Sequence, residues 1–477
     1  MGNTPQIDQI HSVRLEQDLL GDAAVPHDAY FGIQTQRARD NFDLTGVPLS
    51  HFPELVNAFA MVKLACAKAN HRLGGLSEDK LVAIEGAVAK ILEGQYHDQF
   101  IVDMIQGGAG TSSNMNANEV IANIGLELMG HARGQYKLLH PNNDINKSQS
   151  TNDVYPTAIR LSILLKHEEL VTALRALCGA FEAKAAEFSG VIKMGRTQLQ
   201  DAVPMTLGQE FQSFATTLGE DIQRIAGLAE LLTEVNLGGT AIGTGINTDP
   251  EYSGYAVSYL AEVSGIEFKQ ASDLVEASSD MGAFVMFSSM LKRVAIKLSK
   301  IANDLRLLSM GPRCGLNEIN LPPQQPGSSI MPGKINPVIP EAVNQVAYQV
   351  IGNDLAVTMA AEAGQLQLNA MEPLIAYNIH GSIRLLNKAM EMFRVKCVEG
   401  ITANVSRCKD MVDQSIGIVT AVSPYIGYEN ASRIAKSALV NGRSVLDLIL
   451  EEGLMEQQEL DEILKPENMI RPRRSQR

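Results

Sequence analysis

Phe284-Val-Met-Phe-Ser-Ser-Met-Leu-Lys-Arg-Val-Ala-Ile-Lys-Leu-Ser-Lys-Ile-Ala-Asn-Asp-Leu-Arg-Leu-Leu308 sets apolar side chains at 284, 287, 291, 294, 298, 301, 305 and 308. The steps alternate between three and four, which is a heptad seam on one side of one long helix. Lys292, Arg293, Lys297, Lys300 and Arg306 fall on the opposite side. Similar stripes lie on either side of this one along the chain. Phe211, Phe214, Leu218, Ile222, Ile225, Leu228, Leu232 and Val235 predict a helix over 211–235. Ile159, Ile163, Leu170, Leu174, Leu177, Phe181 and Phe188 predict another over 156–188, with Pro156 in its first turn. Two further stripes run over 343–368 and 375–401. Five long helices predict an all-α fold built on an elongated antiparallel bundle. Seams of this length often need partners from other subunits to cover every face.

The flanks read differently. Shorter helices are predicted over 55–74 and 77–94, the second capped by Ser77, and over 119–128, 429–441 and 444–452. The chain accordingly divides into an N-terminal domain (1–147), a central helical-bundle domain (148–403) and a small C-terminal helical domain (404–477). A core of Ala, Leu, Ile, Val and Met, with no Trp and only 5% aromatics, suits close helix packing. The formal net charge of −14 opposes broad nucleic-acid binding, which needs a basic face. The basic tail Arg471-Pro-Arg-Arg-Ser-Gln-Arg477 reads as a solvated end.

Five scattered cysteines without a Cys-x-x-Cys predict reduced thiols in a cytoplasm. No signal peptide opens the chain, no apolar run reaches membrane-spanning length, and Gln6 breaks the myristoylation pattern that Met1-Gly2 begins. Nine histidines show no metal-ligand spacing, so neither metal nor cofactor is expected.

Four polar segments interrupt the apolar helices. Gly107-Gly-Ala-Gly-Thr-Ser-Ser-Asn-Met-Asn-Ala-Asn118 is a glycine-rich turn feeding a helix, the usual form of an anion site. Ser148-Gln-Ser-Thr-Asn-Asp153 precedes the helix at 156, and Gly195-Arg-Thr-Gln-Leu-Gln-Asp201 precedes the one at 211. Taken singly, the first two read as helix caps. Pro326-Gly-Ser-Ser-Ile-Met-Pro-Gly-Lys-Ile-Asn-Pro337 is the most loaded, with two hydroxyls, one ammonium and one amide on a stiffened backbone. In this order the four resemble the ligand-contacting segments of the fumarase/aspartase superfamily, and the resemblance covers nearly the whole chain. Asp98-Gln-Phe-Ile-Val-Asp103, Asn236-Leu-Gly-Gly-Thr-Ala-Ile-Gly-Thr-Gly245, Ala360-Ala-Glu-Ala-Gly-Gln-Leu366 and Ser415-Ile-Gly-Ile-Val-Thr420 look like its aspartase branch.

That resemblance implies a central long-helix bundle between two smaller domains, and a homotetramer with a twenty-helix core. It also implies sites built from loops of three subunits, and reversible removal of ammonia from L-aspartate to give fumarate. It makes Ser328 the base that removes the proton beside the β-carboxylate, through an enediolate. Thr111, Ser150, Thr151 and Ser329 would hold the β-carboxylate. Lys334, Asn336 and Thr197 would hold the α-carboxylate, and Asn152 and Gln198 would sit near the departing amine. Gln198 stands where fumarases and some aspartases carry histidine. Glu341 matches a position tied to acid–base work in the hydratases, and equally suits the first turn of a helix. The competing readings are a fumarate hydratase, sharing nearly all these residues, and a non-catalytic relative of the lens-crystallin kind.

Overall fold

The computed structural model describes residues 12–470; the basic tail and the Met1-Gly2 opening lie outside them. In chain order its helices are α1 (Ile33–Asn41), α2 (Pro53–Arg72), α3 (Glu78–Leu92), α4 (Thr111–Leu128), α5 (Thr151–Glu187), α6 (Leu207–Leu228), α7 (Tyr252–Ser264), α8 (Gly282–Leu308), α9 (Val338–Glu362) and α10 (Glu372–Lys396). Smaller ones follow: α11 (Val405–Gln414), α12 (Val419–Ile426), α13 (Tyr428–Asn441), α14 (Val445–Glu451) and α15 (Gln457–Ile463). The strands are short: β1 (Val13–Asp18), β2 (Gly21–Pro26), β3 (Ile192–Thr197), β4 (Gln200–Thr206), β5 (Glu234–Val235), β6 (Lys269–Gln270), β7 (Ile319–Asn320) and β8 (Thr402–Ala403). They pair two by two, β5 with β6 in parallel and the rest antiparallel.

The mainly helical architecture agrees with the pattern of seams, and every seam residue of α8 is buried. Its cationic side is held by carboxylates. Lys292 reaches Asp354 at 2.5 Å, while Arg293 and Lys297 both reach the buried Asp221 at 2.8 Å. Three helix ends differ from expectation. α6 stops at Leu228; a 3-10 turn takes Ala229–Leu232 and Val235 joins β5, pairing with Gln270. The apolar spacing continues through that break because Leu232 and Val235 stay buried without being α-helical. α9 and α10 also end earlier than the stripes do, at Glu362 and Lys396.

The chain folds into two compact units. The first takes residues up to Leu170, Ile225–Lys292 and Gln349–Arg384. In it α2, α3, α4 and α7 pack together, and Phe59 meets Tyr155 with ring centroids 5.8 Å apart. The second takes Val171–Arg224, Arg293–Tyr348 and Leu385 onward. Phe181 anchors it, within 6.1 Å of the rings of Phe211, Phe214 and Phe393. Its C-terminal helices form a separate cluster in which Met194 of β3 packs with Val412, Ile418, Val422 and Ile434.

Candidate active site

In the first unit the polar segments become helix starts. Gly110 is the N-cap of α4 at φ +89, in the left-handed region that suits glycine. A Cβ there would meet the Tyr155 ring at 2.4 Å. Gly110→Ala should therefore lower stability by about 2–4 kcal/mol, combining left-handed strain with overpacking. Urea denaturation measures it; an unchanged midpoint would contradict this packing. Thr111, exposed at the first position of α4, donates its hydroxyl to the Gly108 carbonyl at 2.7 Å.

α5 begins at Thr151, five residues before Pro156, so the proline lies inside the helix and not in its first turn. The expected start was too late because Pro is commonest at the first helical position. Here the Asn152 carbonyl, which Pro156 cannot satisfy, accepts from Asn236 Nδ2 at 3.0 Å. Ser150 and Asp153 form a reciprocal cap: the Asn152 N–H donates to Ser150 Oγ and the Ser150 N–H donates to Asp153 Oδ1. Asp153 also accepts from the Gly238 and Thr240 N–H groups at 2.9 and 3.2 Å. Burial pushes its carboxyl up to about 6, against those three backbone donors. Asp153 thus ties the start of α5 to the 236–245 loop. Asn152 Nδ2 donates to the Ala241 carbonyl at 2.7 Å. Its Oδ1 carries no hydrogen bond among the described residues, which leaves an acceptor suited to an ammonium group.

Beneath these starts lies a group that the sequence did not single out. Lys63 is fully buried on α2 and donates to Asn114 Oδ1 (2.5 Å), Asn146 Oδ1 (2.9 Å) and Gln149 Oε1 (2.8 Å). Burial pushes its amine down to about 7, opposed by the Asp153 charge. Three oxygens use all three N–H bonds of an ammonium and so favour the charged form. Asn114 Nδ2 donates in turn to Thr151 Oγ1 at 3.1 Å. A lone lysine in the apolar run Ala58–Ala67 was the available signal.

In the second unit Thr197 and Gln198 sit on the β3–β4 hairpin, a strand element where only a pre-helical loop was expected. Gln198 and Leu199 form its two-residue turn at φ 54 and 61. Such a turn needs both residues left-handed, and non-glycine residues accept that at a cost. Both side chains are exposed. Below the turn Glu318, wholly buried, receives Arg196 at 2.5 Å and Lys193 at 2.8 Å. Glu318 precedes β7, so one carboxylate fastens the hairpin to the strand that leads toward the serine loop.

The 326–337 loop has no regular structure and closes on itself. The Gly327 N–H donates to the Lys334 carbonyl at 3.0 Å, and a Cβ at 327 would meet that oxygen at 2.3 Å. The Met331 and Lys334 N–H groups donate to the carbonyls of Ser328 and Met331. Ser328, Ser329 and Lys334 are exposed, as are Ile330, Met331 and Ile335, while Asn336 is half-buried. Glu341 lies in the first turn of α9. The named site residues thus form two sets: Thr111, Ser150, Thr151 and Asn152 in the first unit, and Thr197, Gln198, Ser328, Ser329, Lys334 and Asn336 in the second.

Polar helix starts thus mark the first unit, and a loop bearing two hydroxyls and an ammonium marks the second. A family model described as Lyase matches residues 21–352, and one described as Fumarase C C-terminus matches 418–471. The chain belongs to this lyase family, the fumarase/aspartase superfamily that its four polar segments resemble. It is 69% identical to the aspartate ammonia-lyase of Pseudomonas aeruginosa, over 97% of this chain and 98% of that one. It is 54% identical to that of Escherichia coli (strain K12), over 97% of each. Among solved structures, the fumarate lyase:delta crystallin of Brucella melitensis bound to cobalt superposes with a TM-score of 0.94 at 59% identity, covering 97% of this chain and all of that one. The class II fumarase of Schistosoma mansoni gives 0.91 at 34%, covering 96% and 99%. No helix among the described residues is long and apolar enough to cross a membrane.

Proposed function

We propose that this protein removes ammonia from L-aspartate to give fumarate, reversibly, as a carbon–nitrogen lyase. The structural observation that carries the reading is the pair Thr151–Asn152. One offers a hydroxyl and the next a free amide oxygen, side by side at a helix start, which suits a substrate bearing a carboxylate near an ammonium group. In this reading Thr111, Ser150, Thr151 and Ser329 hold the β-carboxylate. Thr197, Lys334 and Asn336 hold the α-carboxylate, and Asn152 and Gln198 orient the amine. Ser328 takes the C3 proton. The enediolate that follows carries two charges on one carboxyl, and fixed donors stabilise it as it forms. Depressing a serine pKa this far needs the Lys334 charge and surrounding donors close by. Incubation with fumarate and ammonia in heavy water should yield aspartate carrying one deuterium at C3; no aspartate, or none labelled, would overturn the assignment.

The reading includes a cytoplasmic homotetramer, with the domain division 1–147, 148–403 and 404–477, whose sites draw on several subunits. Tyr348, Leu355 and Met359 lie exposed along α9, at the spacing of a seam still open to a partner. All five cysteines are free thiols, four of them buried. Shared sites predict complementation. Inactive Ser328→Ala and impaired Thr151→Ala proteins, mixed after dissociation, should together exceed the activity of either alone, because some mixed sites contain only native loops. No recovery after verified subunit exchange would favour sites built within one chain.

A further inference from the structure

We propose that Asn114 is a positioning residue that sets the polarity of the Thr151 hydroxyl, under the control of the buried Lys63 ammonium. The inference rests on the reading above, in which Thr151 holds a substrate carboxylate.

An ammonium only donates. Lys63 Nζ donates to Asn114 Oδ1 at 2.5 Å, which orients the amide with its oxygen toward the lysine. The Nδ2 side then faces Asn146 Oδ1 and Thr151 Oγ1, both at 3.1 Å. Asn146 Oδ1 also accepts from Lys63 and from Asn118 Nδ2, so every polar atom around the amide agrees with this orientation. Asn114 is 1% exposed and lies in the first turn of α4, against the first residue of α5. Because Asn114 donates to it, the Thr151 oxygen spends a lone pair inward. Its own hydrogen finds no acceptor among the described residues and is left to point outward. A hydroxyl with its hydrogen outward binds a carboxylate; one with its hydrogen turned inward presents only lone pairs and repels it. Lys63 and Asn114 thus make a donor of a side chain that is by itself ambivalent, before any substrate arrives.

Asn114→Asp tests this directly. The new carboxylate keeps a partner for Lys63, forming an ion pair in the same place, while its second oxygen faces Asn146 Oδ1 as well as Thr151. Its second oxygen accepts from Thr151 and turns the hydroxyl inward. We expect kcat/KM for L-aspartate to fall about 10- to 100-fold, the worth of one hydrogen bond to a charged group. Both kcat and KM should change, since the charge on the bound carboxylate grows in the transition state. On a Thr151→Ala background the same substitution should cost nothing more. Equal losses on both backgrounds would mean that the introduced carboxylate acts by simple charge repulsion, and would overturn the proposal. So would near-native activity in Asn114→Asp while Thr151→Ala is impaired. An unimpaired Thr151→Ala protein would instead remove Thr151 from the site, a separate failure of the underlying reading that takes this proposal with it. Should Asn114→Asp not yield native protein, Asn114→Ala serves. It frees the hydroxyl to rotate and should lower kcat/KM about 3- to 10-fold, again only when Thr151 is present. An unchanged value would overturn the proposal.

Discussion

Replacing Ser328 by alanine is expected to abolish fumarate formation from L-aspartate, by about 10,000-fold, the upper range for loss of a positioned base. The fold and the oligomer should survive. Ser328 is exposed, its carbonyl rather than its side chain accepts from Met331, and no bond to its hydroxyl occurs among the described residues. Removal of one such oxygen should shift stability by no more than about 0.5 kcal/mol. Near-native turnover in a folded Ser328→Ala protein would show that another group takes the proton.

Lys334→Ala is expected to act on binding and chemistry together. Lys334 is the single cation among the proposed site residues, and the substrate brings two carboxylates. Its backbone closes the loop through the Gly327 N–H and the Met331 carbonyl, so truncating the side chain spares the loop's shape. We expect kcat/KM to fall by about 100- to 1,000-fold, the cost of removing one partner from a desolvated charge pair. KM should rise and kcat should fall. Steady-state kinetics, with succinate as competitive probe, would separate the two. An unchanged KM and unchanged succinate affinity would argue against a carboxylate at Lys334.

The helical frame is legible because burial on one side of a helix leaves a period in the sequence, and α8 keeps that period unbroken from Phe284 to Leu308. The same rule misleads at the end of α6. Leu232 and Val235 are buried for tertiary reasons, and apolar spacing does not register that the backbone has changed from helix to turn to strand. The β3–β4 hairpin is harder still. Its turn residues are Gln198 and Leu199, where left-handed backbone ordinarily calls for Asn-Gly, so nothing local announces it. Pro156 misleads because the Asn152 carbonyl it leaves free is satisfied by Asn236, 84 positions from Asn152 in sequence. The site divides in the same manner. Ser328, Lys334 and Asn336 stand out because hydroxyl, ammonium and amide crowd one Pro/Gly loop. Lys63, Asn114 and Asp153 do not, because their role exists only once α2, α4 and α5 have packed. A buried lysine in an apolar stretch is the one trace that such a network leaves.

Gln198 bears on which small acid is the substrate. Hydroxide is a poor leaving group and needs a proton as its bond breaks, whereas an ammonium group carries its proton already and needs orientation. Glutamine orients through its amide oxygen and supplies no useful proton near neutrality. The central claim is therefore tested most directly by following fumarate absorbance with one preparation of the purified protein, given L-aspartate in one cuvette and L-malate in another. Rapid fumarate formation from L-aspartate and little or none from L-malate is the predicted result. Malate dehydration at a rate comparable with aspartate deamination would contradict it and make the protein a hydratase.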